Sequence, residues 1–303
     1  MINKCSRRQA IRSARMLLGV VKQSLLEIWL SKLTKKIRSN VPPTETLIPR
    51  SHYYSNEKLG RSIIDVVSNY LKNSGWIETK VNNASFFQGQ YFPWITFAAI
   101  DFLEKLSLES SVIVEFGAGA STCYFGKKAK SVISFEFDSK YFSQIEGLAM
   151  KFTNVEILNF DPLQVSGEFK DISSSKVGTD YELEACVSFD EKFCDISMRR
   201  ALGRGFYDIA SNSISKGDMI FIDGGPRNIA MLLVSRFAKT NTIVIVDNSD
   251  QEYVKFGIGY LINAGFQEIP FSGLGPLNPY KSQTSFFVKN LGAITSKYSK
   301  GIS

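Results

Sequence analysis

Five short apolar runs, separated by stretches long enough for helices and in one place by a long insertion, constrain this chain most. Ser111–Phe116, Ser131–Phe137, Asn154–Asn159, Asp218–Asp223 and Thr242–Asp247 are rich in β-branched residues. Such runs are expected to be strands covered on both faces, as in a parallel sheet. Helices are expected at Pro93–Leu106, Thr122–Ala129, Tyr141–Phe152, Met198–Ser213 and Asn228–Ala238. The first has proline in its opening turn and a stripe of Ile95, Ala98, Ala99, Phe102, Leu103 and Leu106. Strand and helix alternating at this rhythm predict an α/β fold with a doubly wound, mostly parallel sheet. The end of the chain breaks the rhythm. Phe266–Phe271 and Ser282–Lys289 are strand-like, and the ten residues between them are rich in Gly and Pro. That link is too short for a crossover helix, so a C-terminal antiparallel hairpin is expected.

Composition excludes several classes. The 303 residues are 44% apolar and 21% charged, which no disordered or collagen-like chain would be. The four cysteines form no C-x-x-C pair, and the single histidine, His52, leaves no set of His ligands. A reduced compartment is therefore expected, with a cytoplasmic location.

Charge divides the chain. Residues 1–40 carry ten Lys or Arg and one acid, Glu27, so the arm holds more than the whole net charge of +7. Ile11, Ala14, Leu18, Val21, Leu25 and Ile28 recur at helical spacing, so this arm is expected to be a basic amphipathic helix. Its longest uncharged run is too short to span a bilayer. It could pack on the body or on a second copy, lie on the inner face of an anionic membrane, or serve as an organellar presequence. A nucleic-acid arm is the least supported reading, because the body adds no basic patch with interleaved aromatics. The expected organisation is the arm at 1–40, a proline-containing linker at 41–50, the α/β domain at 51–292 and a tail at 293–303. The oligomeric state is left open.

Chemistry is expected at the carboxyl ends of the strands. The first run ends in Glu115-Phe-Gly117-Ala-Gly119-Ala-Ser121, where glycines let a ligand approach the backbone. Residue 122 is threonine, so the dinucleotide fingerprint lacks its third glycine and a nicotinamide enzyme is disfavoured. Glu136 ends the second run 19 residues after Gly117, where an acid can accept ribose hydroxyls. Asp138 is the weaker candidate for that role.

The ordered set VIVEFGAGAS, SFEFD, NFDPL, MIFIDGGPR, IVIVDNS and the hairpin resembles the class I S-adenosylmethionine-dependent methyltransferases, over roughly residues 86–290. The resemblance implies a Rossmann-like fold that binds S-adenosyl-L-methionine. It places Glu115, Gly117, Gly119 and Ser121 at the methionine part, Glu136 at the ribose and Asp161 at the adenine. A finer resemblance is to catechol-type O-methyltransferases, in which Asp223, Asp247 and Asn248 would hold Mg²⁺. Their lysine base is replaced here by Pro226, followed by Arg227. The other reading of the three is that Asp223 orders a loop and Asp247-Asn248 caps a turn. Asp223 and Asp247 are the candidate catalytic groups, acting on a small-molecule or glycan-linked hydroxyl. The alternative is a catalytically inactive Rossmann-fold protein that associates with membranes or acts as a scaffold. The aromatic run Phe86–Trp94 could cover a ligand, and Gly273–Tyr280 could shape an acceptor pocket or only turn the hairpin. Substrate specificity is expected in the long insertion Pro162–Arg199, which contains Cys186 and Cys194.

Overall fold

A computed structural model describes residues 61–62, 64–76, 78–79, 85–160, 180–194 and 205–298. The basic arm, the linker, Asp161 and most of the 162–199 insertion lie outside the described residues. The chain divides into two units, Met1–Ser74 and Gly75–Ser303. In the first, Val66–Leu71 forms a π-helical segment. Among the described residues, no helix is long and apolar enough to cross a membrane.

The second unit begins with a small hairpin, β1 (Phe86–Phe87) and β2 (Gln90–Tyr91), then α1 (Phe97–Leu103). β3 (Val112–Phe116), α2 (Ala120–Lys128), β4 (Ser131–Glu136), α3 (Ser139–Ala149) and β5 (Val155–Asn159) follow. Next come α4 (Tyr181–Cys194), α5 (Phe206–Lys216), β6 (Met219–Ile222), α6 (Arg227–Phe237), β7 (Ile243–Asp247) and α7 (Glu252–Asn263). The unit closes with β8 (Gln267–Gly273), β9 (Ser282–Val288) and the short α8 (Gly292–Thr295).

The main sheet has seven strands in the order β5-β4-β3-β6-β7-β9-β8. β5, β4, β3, β6 and β7 are parallel, while β9 runs antiparallel to both of its neighbours. The expected α/β fold with its C-terminal hairpin is therefore present. Strand alternation explains its two cores. Val114, Phe116, Ile220, Ile222, Val244 and Val246 face one side, against α4, α5, α6 and α7. Ile113, Met219, Phe221, Ile243 and Ile245 face the other, with Leu103, Phe125 and Phe286. Strand order reverses between β3 and β6, and Phe116 pairs with both Phe135 and Ile222. The tips of β3, β4 and β6 therefore end side by side at the switch point, where such sheets bind ligands.

Three parts depart from expectation. Helix α4 lies in the insertion expected to carry specificity, yet it is a core element. Leu183, Cys186 and Val187 are buried in the main cluster. Its fully buried Asp190 accepts from Asn228 N (3.2 Å), Asn228 Nδ2 (2.7 Å) and Ile229 N (2.9 Å). It thus caps the α6 N-terminus, whose own N-cap, Pro226, makes no side-chain cap bond. Helix α7 has no counterpart among the expected helices, because Gly257 and Gly259 interrupt its pattern. A Cβ on Gly257 would stand 3.0 Å from Asn228 Cα, so the glycine lets α7 pack closely on the first turn of α6. The tail expected from 293 is docked as far as Tyr298. Ala293 and Ile294 are buried, and Ser107 N donates to Lys297 O at 2.7 Å.

Candidate functional site

The β3 tip turns at Gly117, whose φ of +94° suits only glycine. A Cβ there would lie 2.7 Å from Gly224 Cα, because the loops after β3 and β6 pass back to back. Asp223 N and Gly224 N both donate to Phe116 O, at 3.0 and 2.9 Å, which ties the two tips together. Beyond Gly119 the chain enters α2, with Gly119 N donating to Thr122 Oγ1 at 2.8 Å.

These tips form one wall of a cavity of about 370 Å³. Gly117, Gly119, Ser121, Glu136 and Asp223 all line it, with Tyr91, Trp94 and Tyr141 adding aromatic surface. The volume is in the range of small-molecule sites. Of the aromatic run Phe86–Trp94, Tyr91 and Trp94 reach the cavity, whereas Phe92 is buried in the core. The hairpin loop gives no lining residue to this cavity, and its Leu274 O accepts from Phe97 N at the start of α1.

Glu136 is held by backbone alone. Its Oε2 accepts from Ala118 N at 3.0 Å, and its Oε1 from Phe137 N at 2.7 Å and Asp138 N at 2.9 Å. A carboxylate offers about four acceptor positions, so capacity for a ligand hydroxyl remains. Burial pushes its proton affinity up against those three bonds, which favour the charged form. The Asp138 side chain is engaged differently. Its Oδ1 caps α3, accepting from Lys140 N (2.8 Å) and Tyr141 N (3.0 Å).

Glu115, expected at the cofactor, has all its recorded partners within the fold. It does not line the cavity but lies fully buried beneath the glycine loop. The hydroxyls of Ser121 (2.5 Å), Thr122 (2.6 Å) and Ser134 all donate to it. Strand alternation explains this, because Glu115 sits inside β3 and faces α2, not the tip. Burial is the dominant influence on it, pushing its pKa up to about 7 against the three hydroxyl bonds. Ser121 lines the cavity, but its hydroxyl is engaged by Glu115.

The three expected metal ligands are brought together, but around another cation. Arg227, only 8% exposed, opens α6. Its Nη2 donates to Asp223 O (2.7 Å) and approaches Asp223 Oδ1 (3.5 Å). Its Nη1 donates to Asp247 O (2.5 Å) and Asn248 Oδ1 (3.2 Å). Thr284 Oγ1, on β9, donates to Asp247 Oδ1 at 2.6 Å. Mg²⁺ demands octahedral oxygen ligands with free lone pairs. Here Asp223 Oδ1 and Asn248 Oδ1 face the guanidinium and Asp247 Oδ1 faces the Thr284 hydroxyl, so a cation already occupies the place between the acids and the arrangement does not fit the ion. Among the described residues, no group of three His, Cys, Asp or Glu could hold a metal. Asp223 holds its proton well above the usual carboxylate range, chiefly through burial and then through the charge of Asp247. Burial pushes Asp247 in the same direction.

No protein-family model matches this chain, and no curated protein does. Similarity to solved structures is found. A precorrin-6y C5,15-methyltransferase from Geobacter metallireducens is 13% identical, with a TM-score of 0.33, covering 62% of this chain and 83% of that one. An rRNA methylase from Streptococcus thermophilus is 12% identical at a TM-score of 0.37, covering 62% and 92%. Fibrillarin from Aeropyrum pernix, with bound S-adenosyl-L-methionine, is 13% identical at 0.36, covering 61% and 72%. The sheet described above, with its terminal antiparallel hairpin, is Rossmann-like and is the one the methyltransferase resemblance implies.

Proposed function

We propose that this chain is an S-adenosyl-L-methionine-dependent methyltransferase acting on a small-molecule or glycan-linked hydroxyl. One observation carries the reading: Glu136, held by three backbone N–H groups, lines a glycine-walled cavity at the switch point of the sheet. A buried carboxylate with an acceptor position left is suited to a ribose hydroxyl. Gly117 and Gly119 leave the backbone open to the methionine end. When bound, S-adenosyl-L-methionine supplies an electrophilic methyl group on a sulfonium sulfur.

The chain's own part is to position the acceptor and to take a proton. Asp223 is the group placed for this, since it lines the cavity beside Gly117 and Gly119. Burial and the neighbouring Asp247 raise its proton affinity, which makes its ionised form a stronger base toward a hydroxyl. Thr284 and Arg227 hold Asp247 behind it. The exposed edge of Trp94, with Tyr91 and Tyr141, offers stacking surface of the kind that suits a planar ligand or a sugar ring.

Calorimetric titration with S-adenosyl-L-methionine and S-adenosylhomocysteine tests the reading. Micromolar binding is expected, with the same affinity in Mg²⁺ and in chelator. Glu136→Ala should weaken it by roughly 30-fold, the value of a charge-assisted hydrogen bond. A folded wild-type chain that binds neither ligand would overturn the assignment.

A further inference from the structure

We propose that Arg227 is the resident cation of this site, a positioning residue whose guanidinium takes the place between the β6 and β7 tips where a divalent ion was expected. Each of two guanidinium nitrogens faces two oxygens. Nη2 takes the carbonyl and a carboxylate oxygen of Asp223. Nη1 takes the carbonyl of Asp247 and Oδ1 of Asn248. The fork therefore bridges the ends of two neighbouring strands, which a point charge on a lysine stem could not do with the same set.

The position of this cation is built, not incidental. Arg227 is the first residue of α6, four residues after Asp223. The next two residues, Asn228 and Ile229, are held by the buried Asp190 of α4. Asn248 adopts a φ of +54°, rare for a residue with a side chain, and presents Oδ1 to the same guanidinium. Two carboxylates this close in a buried place repel, and an opposite charge must offset them or one must protonate. Arg227 supplies an opposite charge that offsets part of this repulsion, and its bonds to Asp223 fix that residue at the cavity wall. What Asp223 does there to an acceptor rests on the methyltransferase reading. The identity of the cation does not.

Thermal melting of the full chain, in chelator and in Mn²⁺, separates the two. Mn²⁺ suits a set of carboxylate and carbonyl oxygens. The wild-type melting temperature is expected to be the same in both buffers. Arg227→Ala should melt about 10 °C lower, since it strips one partner from a buried ion pair. It should then recover part of that loss in Mn²⁺, saturably, because two acids and an amide are left facing a vacated space. Adding Asp223→Asn to Arg227→Ala should abolish the recovery. Arg227→Lys should lose less and gain nothing from Mn²⁺, as its ammonium still supplies the charge. Arg227→Gln, uncharged but hydrogen-bonding, carries the same test if the alanine variant does not fold. A merely structural arginine would leave no Mn²⁺ response in any variant, and that result overturns the proposal. So would saturable Mn²⁺ stabilisation of the wild type that Asp223→Asn removes. Failure of the wild type to bind S-adenosylhomocysteine in calorimetry would sink the methyltransferase reading alone and leave the cation result standing.

Discussion

The interior of β3 and the tip of β4 each bury a carboxylate, and the two solve the same problem differently. Glu115 meets three hydroxyls and Glu136 meets three backbone N–H groups. A hydroxyl can turn and become an acceptor, whereas an N–H can only donate. Glu115 can therefore gain a proton or become an amide and keep its partners. Glu136 cannot become an amide in that way, because a new N–H would face an existing donor. The β3 interior tolerates neutrality, while the β4 tip is built for a negative charge and so for a ligand with hydroxyl donors. A third carboxylate, Asp190 on α4, extends the comparison. It too faces only N–H donors, and it is fully buried.

Asp190 should give the largest effect. Asp190→Ala leaves two backbone N–H groups and the Asn228 amide unsatisfied, at a cost of about 3 kcal/mol. Denaturant unfolding measures it. A loss below ~1 kcal/mol would mean that water replaces the carboxylate and that Asp190 is not what holds the start of α6. The sign of its pH effect is the opposite of an ordinary ion pair. Burial raises the Asp190 pKa from its usual value to about 6. The folded state thus binds the proton more tightly than the unfolded chain, and stability falls as pH rises between about 4 and 6.

Glu136→Gln comes next, and it breaks the comparison if it is harmless. The amide nitrogen would confront an N–H group, at a cost of about 2 kcal/mol of stability. Binding of S-adenosylhomocysteine should weaken by about 10-fold or more, since a charged acceptor becomes a neutral one. Equal stability and affinity for Gln and Glu would show that the backbone cradle does not select charge.

These three acids also mark how far the sequence could be read. The strands were legible because apolar runs of that length have few other uses, and their alternation assigned both cores. Glu136 was legible because it ends a run at a fixed distance from a glycine turn. Glu115 was placed with the ligand on the strength of the motif, although its position inside β3 turns it beneath the loop. Arg227 stood in view after Pro226, but its partners Asp247 and Asn248 come 20 and 21 residues later. Only the pairing of β6 with β7 brings them within reach. The i, i+4 spacing from Asp223 was the one local signal available. Asp190 gave no signal at all. It lies in the long insertion, where no helix is expected from the sequence, and its burial follows from where α4 meets the first turn of α6.

Glu115→Gln should give the smallest effect at neutral pH, and it is the sharpest test of the comparison. Burial raises the Glu115 pKa from 4.5 to about 7. Its folded pKa therefore exceeds its unfolded one, so its contribution to stability is complete below about 4.5 and falls away as pH rises toward 7. Linkage limits the slope from one such group to about 1.4 kcal/mol per pH unit. Glutamine cannot titrate, and Ser121, Thr122 and Ser134 can redirect their hydroxyls to accept from its amide. Melting of wild type and variant from pH 4.5 to 8 should give curves that converge or cross near neutrality, with the variant flatter. Glu136, Asp190 and Asp223 titrate in both proteins, so the difference between the curves reports Glu115 together with its charge coupling to Glu136 and Asp223. Parallel curves would mean that Glu115 stays ionised throughout. The hydroxyl cage would then serve the charge as firmly as the backbone cradle of Glu136 does, and the distinction between the two regions would fall.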